Sequence, residues 1–343
     1  MEMTRTASCC GTGGLDDPRL TAEWFAIAWS HEIAPPALIA RRLMGRDVVL
    51  WRASDGSLHC WLDLCIHRGA KLSLGVIQSH TGRDGGDCVV CPYHGWSYAA
   101  SGQCVAIPAQ PGLTPPAKAR AQRFLVRERY GVVWTCFGTG SEAVPDFPVA
   151  EEAGVRVMLA GPYRFRALGP RLIENFLDVA HLGIVHAGLL GEPGRGEIED
   201  YEVRAGPWGP KADAIRVWQP DPDGTGAGAM VAYAYEILGP LTASFVKLHE
   251  GKRFGILAQA VPVDAEFSEM RMVMAMDYGH EIPEQELIGF QDRVAEQDRA
   301  IVESQRPELL PLDLQAELHL RSDRLAIAYR KWLREIGFTY GVA

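Results

Sequence analysis

The chain has no run of about 20 apolar residues, so no segment reads as a membrane-spanning helix. Its first 20 residues lack the apolar core of a secretory signal. Cys9 and Cys10 have no hydrophobic run before them to suggest a lipid anchor, and this end reads as a loose tail. Long basic tracts are missing too. Lys and Arg number 34 against 43 Asp and Glu, a net charge of −9, which excludes nucleic acid as a partner because phosphate binding needs clustered cations. Cysteine is sparse, with eight in 343 residues, at 9, 10, 60, 65, 88, 91, 104 and 136. That is too few for a disulfide scaffold and points to a reducing compartment, the cytoplasm. Neither internal repeats nor a dinucleotide or flavin fingerprint is found.

What is present is ordinary globular composition, 47% apolar and 22% charged. A single core stops growing near roughly 250–300 residues, so two domains are expected. Residues 20–140 read as all-β. Asp47–Arg52 and Leu58–Leu62 alternate around the turn Ser54-Asp-Gly-Ser57, a hairpin signal, and Gly131–Phe137 is a further short strand. A Pro/Gly/Glu-rich connector at 138–154 follows. Residues 155–343 read as α+β: a helix over Leu172 to about His186, antiparallel strands from Tyr201 to Tyr278, and an amphipathic helix over Pro283–Gln305 with Pro in its first turn.

Two constellations carry chemistry. In the first, Cys65-Ile-His67-Arg-Gly and Cys91-Pro-Tyr-His94-Gly-Trp each offer one thiolate and one imidazole from a short loop. Two sulfurs and two nitrogens suit zinc or the irons of a [2Fe–2S] cluster. The hairpin setting differs from the strand-then-helix layout of a zinc finger and favours iron. The stretch Ser79–Asp87 is a polar, Gly-rich insertion expected to loop out, and Cys60, Cys88 and Cys104 read as core or strand residues.

The second is Asn175-x-x-Asp178-x-x-His181-x-x-x-x-His186. On a helix the first three share a face. His186, about 140° away on an ideal helix, meets a metal shared with His181 only where the helix distorts or ends near Gly183. Two His plus one carboxylate form the facial triad of non-haem Fe(II) oxygenases. The carboxylate assigned is Asp298, on the stripe of Leu287, Val294 and Ile301, where a charge needs a partner. A buried salt bridge is the alternative. Asp292, Glu296 and Glu303 read as solvated. Tyr233, Tyr235, Phe245, His249 and the Met272–Met276 face are candidate pocket walls, or plain core, and Leu189–Glu197 reads as an entrance or surface loop.

Together these motifs resemble the catalytic α subunit of Rieske non-haem iron oxygenases across essentially the whole chain. The ending Ser322–Val342 is similar to the subgroup of toluenesulfonate methyl-monooxygenase, phenoxybenzoate dioxygenase and saxitoxin-pathway hydroxylases. The resemblance implies a Rieske [2Fe–2S] domain followed by a helix-grip catalytic domain. It implies a cluster held by Cys65, His67, Cys91 and His94, and a mononuclear Fe(II) held by His181, His186 and Asp298. It further implies a head-to-tail homotrimer in which Asp178 bridges His181 and the neighbour's His94, with Asn175 beside the iron. The implied activity is monooxygenation of a small aromatic or alkaloid-like substrate by dioxygen, as hydroxylation or demethylation, with electrons from NAD(P)H through a separate reductase. A ring-hydroxylating dioxygenase α subunit and a non-enzymatic Rieske electron carrier are the competing readings.

Overall fold

The computed structural model describes residues 14–80, 86–140 and 143–343; the tail at Cys9 and Cys10 and the tip of the insertion, 81–85, lie outside them. Three antiparallel sheets organise the chain. The first has six strands in the order Phe25–Trp29, Val132–Cys136, Arg123–Arg129, Leu58–Leu62, Arg46–Arg52 and Ala37–Leu43. The expected hairpin pairs Val48 with Leu62 through Arg52 with Leu58. The second sheet orders Val76–His80, Gly86–Val90, Ser97–Ala99 and Cys104–Ala106. Parts of the expected insertion are therefore strand: Ser79 and His80 pair with Asp87 and Gly86. Cys60, Cys88 and Cys104 are buried strand residues.

The third sheet has seven strands, in the order Arg156–Phe165, Ser268–Met276, Lys252–Pro262, Thr242–His249, Ala229–Gly239, Pro210–Gln219 and Arg204–Ala205. Four α-helices complete the described residues: α1 (Pro18–Ala22), α2 (Gly169–Leu177), α3 (Glu284–Ser304) and α4 (Arg324–Glu335). Helix α2 packs on the strands 242–249 and 252–262, and α3 on 156–165. The architecture is an α+β fold, an all-β part followed by a sheet with helices against it. No helix among the described residues is long and apolar enough to cross a membrane.

The large sheet is tied to the first one. The Gln259 side chain accepts from the Ala26 amide at 2.7 Å and donates to the Trp24 carbonyl at 2.8 Å, and the Met44 amide donates to the Pro262 carbonyl. One apolar core runs through this seam, and a smaller core around Trp51, Trp61 and Tyr98 backs the Cys-His loops.

Two expectations are corrected. The helix beginning near Leu172 does not reach His186: it starts at Gly169 and ends at Leu177, with Asp178 extended at φ −82°, ψ 129°. Asp178 Oδ1 accepts from the Ala180 amide at 2.7 Å, and this side-chain turn competes with the next helical bond. Asn175, Asp178 and His181 thus do not share a helical face. The second correction concerns α3. Pro283 is its N-cap, and its buried stripe is Gln291, Val294, Ala295 and Val302, whereas Ile301 is 46% exposed.

Candidate active site

The two Cys-His loops are closed in the same way. The Gly69 amide donates to the Cys65 carbonyl at 2.8 Å, and the Gly95 amide to the Cys91 carbonyl at 3.1 Å. Both glycines sit near φ +70°, the left-handed region that side chains avoid. A Cβ on Gly95 would also meet Pro108 Cγ at 2.9 Å. Cys65 and Cys91 are buried at the inner side of the pair, with Asp63 bracing the first loop by accepting from the Ser73 amide and hydroxyl. His67 and His94 stand on the outer side with ring centroids 4.5 Å apart, and His67 stacks on Trp96. The Tyr98 hydroxyl lies 3.0 Å from Cys65 Sγ. His67 Nδ1 is buried with no hydrogen-bond partner, so a ring nitrogen that ordinarily needs a partner waits for one. These four donors fit a [2Fe–2S] cluster: sulfur inside, nitrogen outside, and no three of them within the 4.8 Å that one ion spans.

The second centre forms at the end of α2, where the chain leaves the helix through tight turns. Among the described residues, His181, His186 and Asp298 are the one set of three or more His, Cys, Asp or Glu ligand atoms lying within 4.8 Å of one another. His186 Nε2 is 3.1 Å and His181 Nε2 3.6 Å from Asp298 Oδ1. Each ring is held from behind. His181 Nδ1 donates to Asp178 Oδ2 at 3.2 Å, and His186 Nδ1 to Gln297 Oε1 at 2.8 Å. Both tautomers leave Nε2 free to face Asp298, the orientation a metal requires. Asp298 Oδ1 is buried and without a hydrogen-bond donor; a cation satisfies it. Burial disfavours charge on His186, but Asp298 and then Gln297 outweigh it and raise its pKa. Burial works against the Asp178 carboxylate as well, yet the His181 ring and the amides of Ala180 and His181 hold its pKa below the ordinary range.

A cavity of about 330 Å³ opens beside these residues. Asn175, Asp178, His181, His186 and Asp298 line it, together with Tyr233, Tyr235, Phe245 and the Met272–Met276 face. His249 does not line it; it sits at the last position of its strand, beyond the cavity. Leu190, from the Gly-rich loop after His186, does. Among the site residues not singled out from sequence are Gln297 and the buried pair Gln219 and Lys247. Gln297 is adjacent to Asp298 in sequence but gains its contact only from His186 in the fold. Lys247 lies between Phe245 and His249 at period 2, on the face already assigned to the wall.

Comparison with known proteins agrees with this geometry. Residues 23–118 match the Rieske [2Fe-2S] domain. Residues 165–337, half of the chain, match the vanillate O-demethylase oxygenase C-terminal domain. The chain belongs to the Rieske non-haem iron oxygenases. Methylxanthine N1-demethylase NdmA of Pseudomonas putida is 29% identical over 311 residues, covering 87% of this chain and 82% of that one. The iron-sulfur subunit of the toluene-4-sulfonate monooxygenase system of Comamonas testosteroni is 34% identical over 171 residues, 49% of this chain and 47% of that one. The solved structure of NdmA from Pseudomonas putida CBB5 superposes with a TM-score of 0.78 at 26% identity, covering 93% of this chain and 91% of that one. This oxygenase therefore uses a Rieske cluster and a mononuclear iron to oxygenate a small organic molecule. A bare electron carrier is overturned as a reading by the oxygenase domain that fills the second half.

Proposed function

We propose that this oxygenase holds its cluster on Cys65, His67, Cys91 and His94 and its mononuclear iron on His181, His186 and Asp298. The carrying observation is the convergence of two imidazole Nε2 atoms and one orphaned carboxylate oxygen at the wall of an aromatic- and Met-lined cavity. The iron, when bound, supplies dioxygen activation, fed with electrons by the cluster. The chain's own residues do the rest. Asp178 and Gln297 fix the two rings, Asn175 stands at the cavity wall beside them, and the apolar lining excludes bulk water and grips an aromatic or heteroaromatic substrate. The proposed outcome is hydroxylation of a C–H bond, or hydroxylation of an N- or O-methyl group with loss of formaldehyde. Relatives that demethylate methylxanthines and oxygenate toluene-4-sulfonate support both outcomes.

A division into a cluster domain at 20–140 and a catalytic domain at 155–343 is part of this reading, supported by the first two sheets lying within residues 25–136 and the third within 156–276. A head-to-tail homotrimer is also part of this reading. His94 is exposed at the tip of the cluster loops, amid exposed Leu64, Ile66 and Tyr93. Near the iron, the Asp178 side chain is 35% exposed and Ile184 is exposed. Apolar rims around both centres suit contact between neighbouring subunits, with Asp178 meeting His94 of the next one. Electrons come from NAD(P)H through a separate reductase, in the cytoplasm, where the six described cysteines stay free.

The test is anaerobic iron and sulfide analysis with absorption and EPR spectra. About three irons and two sulfides per chain, with a Rieske signal on reduction, are expected. Zinc without colour would overturn the proposal, and about two irons would remove the assignment of His181, His186 and Asp298.

A further inference from the structure

Among the aromatic and Met residues of the cavity wall, apart from the proposed iron ligands and next to Asp221 and Asp223, stands one buried cation. Lys247 is 8% exposed and stands on the strand Thr242–His249, directly across from Tyr233 on one neighbour and Phe254 on the other. Its Nζ donates to the Gln219 side-chain carbonyl at 3.2 Å and to the Pro222 carbonyl at 2.6 Å. Gln219, 1% exposed, in turn donates to the Tyr233 hydroxyl at 2.8 Å. Gln219, Tyr233 and Lys247 all line the cavity that Asp298 and the two histidines share.

A buried ammonium is costly unless a counter-charge meets it. Among the described residues no carboxylate lies within ion-pairing distance of Lys247. The nearby acids are engaged elsewhere: Asp223 accepts from Lys252 at 2.5 Å and from the Thr225 hydroxyl, and Asp221 from the Gly226 amide. Lys247 is left with two neutral oxygens and the Phe254 ring 5.5 Å away. An ammonium carries three donors, and two are used. The Tyr233 hydroxyl is used as an acceptor and keeps its own proton to give. Burial lowers the Lys247 pKa to about 8, against the opposing pull of Asp223 and Asp221.

Resting on the oxygenase reading, we propose that Lys247 is the anchor for an anionic oxygen group on the substrate. The oxygenase takes aromatic molecules that carry a carboxylate or sulfonate, with that group against Lys247 and Tyr233 and the oxidisable end toward His181, His186 and Asp298. Lys247 is a specificity-determining residue, and Gln219 holds both donors in place.

Calorimetric titration of the anaerobic holoenzyme tests this without turnover. The probes are 4-methoxybenzoate and 4-methoxybenzenesulfonate, set against the neutral isosteres 4-methoxybenzamide and methyl 4-methoxybenzoate. The anions are expected to bind at least about tenfold more tightly, the range of a charge-assisted hydrogen bond. Lys247→Met is expected to abolish the preference and Lys247→Arg to keep part of it. Equal affinity for acid and amide in the unaltered enzyme overturns the anchor whether or not the variants fold. So does a preference that survives Lys247→Met, or saturable binding of neither anion. Iron and sulfide are measured on the same sample. A fully loaded enzyme blind to charge sinks this proposal alone, whereas missing iron strikes at the oxygenase reading.

Discussion

The sharpest consequence of the proposed iron site concerns Gln297, which is not one of its ligands. His186 is 1% exposed, and its Nδ1–H has one acceptor, Gln297 Oε1 at 2.8 Å. In Gln297→Leu that donor is left buried and unpaired. An orphaned buried donor costs about 1–3 kcal/mol. The ring escapes the cost by rotating or by moving its proton to Nε2, and either change takes the Nε2 lone pair away from the metal position. Expressed as metal affinity, about 1.4–2.8 kcal/mol is roughly 10–100-fold, since each 1.4 kcal/mol is tenfold. Losses of ring-supporting groups at metal sites fall in that same range. The assay is Co(II) or Fe(II) titration of protein depleted of the mononuclear metal, in competition with a chelator. The cluster absorption serves as an internal control, because Cys65 and Cys91 lie in another sheet system. Gln297→Glu, which keeps an acceptor oxygen, is expected to retain most of the affinity. Unchanged metal affinity in Gln297→Leu would refute the reasoning.

Three further outcomes follow from particular contacts. Asp178→Ala removes the turn at Ala180 together with the acceptor behind His181, and is expected to weaken iron binding at His181, His186 and Asp298 and to lower substrate-coupled oxygen uptake roughly 10–100-fold; near-normal coupled uptake in an oxygen electrode would remove Asp178 from its role. Tyr98→Phe deletes the hydroxyl 3.0 Å from Cys65 Sγ. If that bond is worth about 1.4 kcal/mol more in the reduced cluster, the one-electron potential drops by about 60 mV, and redox titration by EPR reads it. Arg330, 3% exposed on α4, donates to Glu174 on α2 at 2.5 and 2.8 Å and to Glu317 at 2.5 Å. Arg330→Met leaves Glu174, one residue before Asn175, with only the longer 3.5 Å contact to Arg171, and denaturant unfolding is expected to show a loss of about 1.5–3 kcal/mol.

These contacts also mark what the sequence could and could not disclose. The cluster loops were legible because their information is local: a cysteine, a histidine and a left-handed glycine fall within five residues, twice. The place of Asp298 was legible for a cruder reason, as a charge on an apolar stripe. The stripe runs through Gln291, Val294, Ala295 and Val302, and Asp298 belongs to it equally well, whereas Ile301 points outward. Gln297 was not legible. It lies about 100° round the helix from Asp298, reads as solvated, and gains its role only from His186, 111 residues away in sequence. Lys247 was hidden differently. Period 2 put it on the cavity face with Tyr233 and Phe245, but hydropathy counts a lysine as surface, and its partners Gln219 and Pro222 are distant along the chain.

The end of α2 shows how one residue serves fold and site together. Helical continuation past Leu177 would set His186 about 140° from His181, where no ion meets both. Asp178 prevents it. One carboxylate oxygen accepts from the Ala180 amide and turns the chain out of the helix, and the other accepts from His181 Nδ1. The turns that follow bring His186 back, so that both Nε2 atoms face Asp298. Replacing Asp178 by Asn separates the two duties. An amide oxygen can still accept from Ala180 and keep the turn, while the charge beside His181 is gone. Asp178→Asn is therefore expected to fold like the parent, but its NH2 cannot accept from His181 Nδ1, so mononuclear-metal affinity falls roughly 10–100-fold, as in Gln297→Leu, and coupled oxygen uptake falls with it. Should Asp178→Asn instead hold iron and couple oxygen uptake like the parent, the acceptor behind His181 would be dispensable, and the proposed part of Asp178 between the two centres would lose its support.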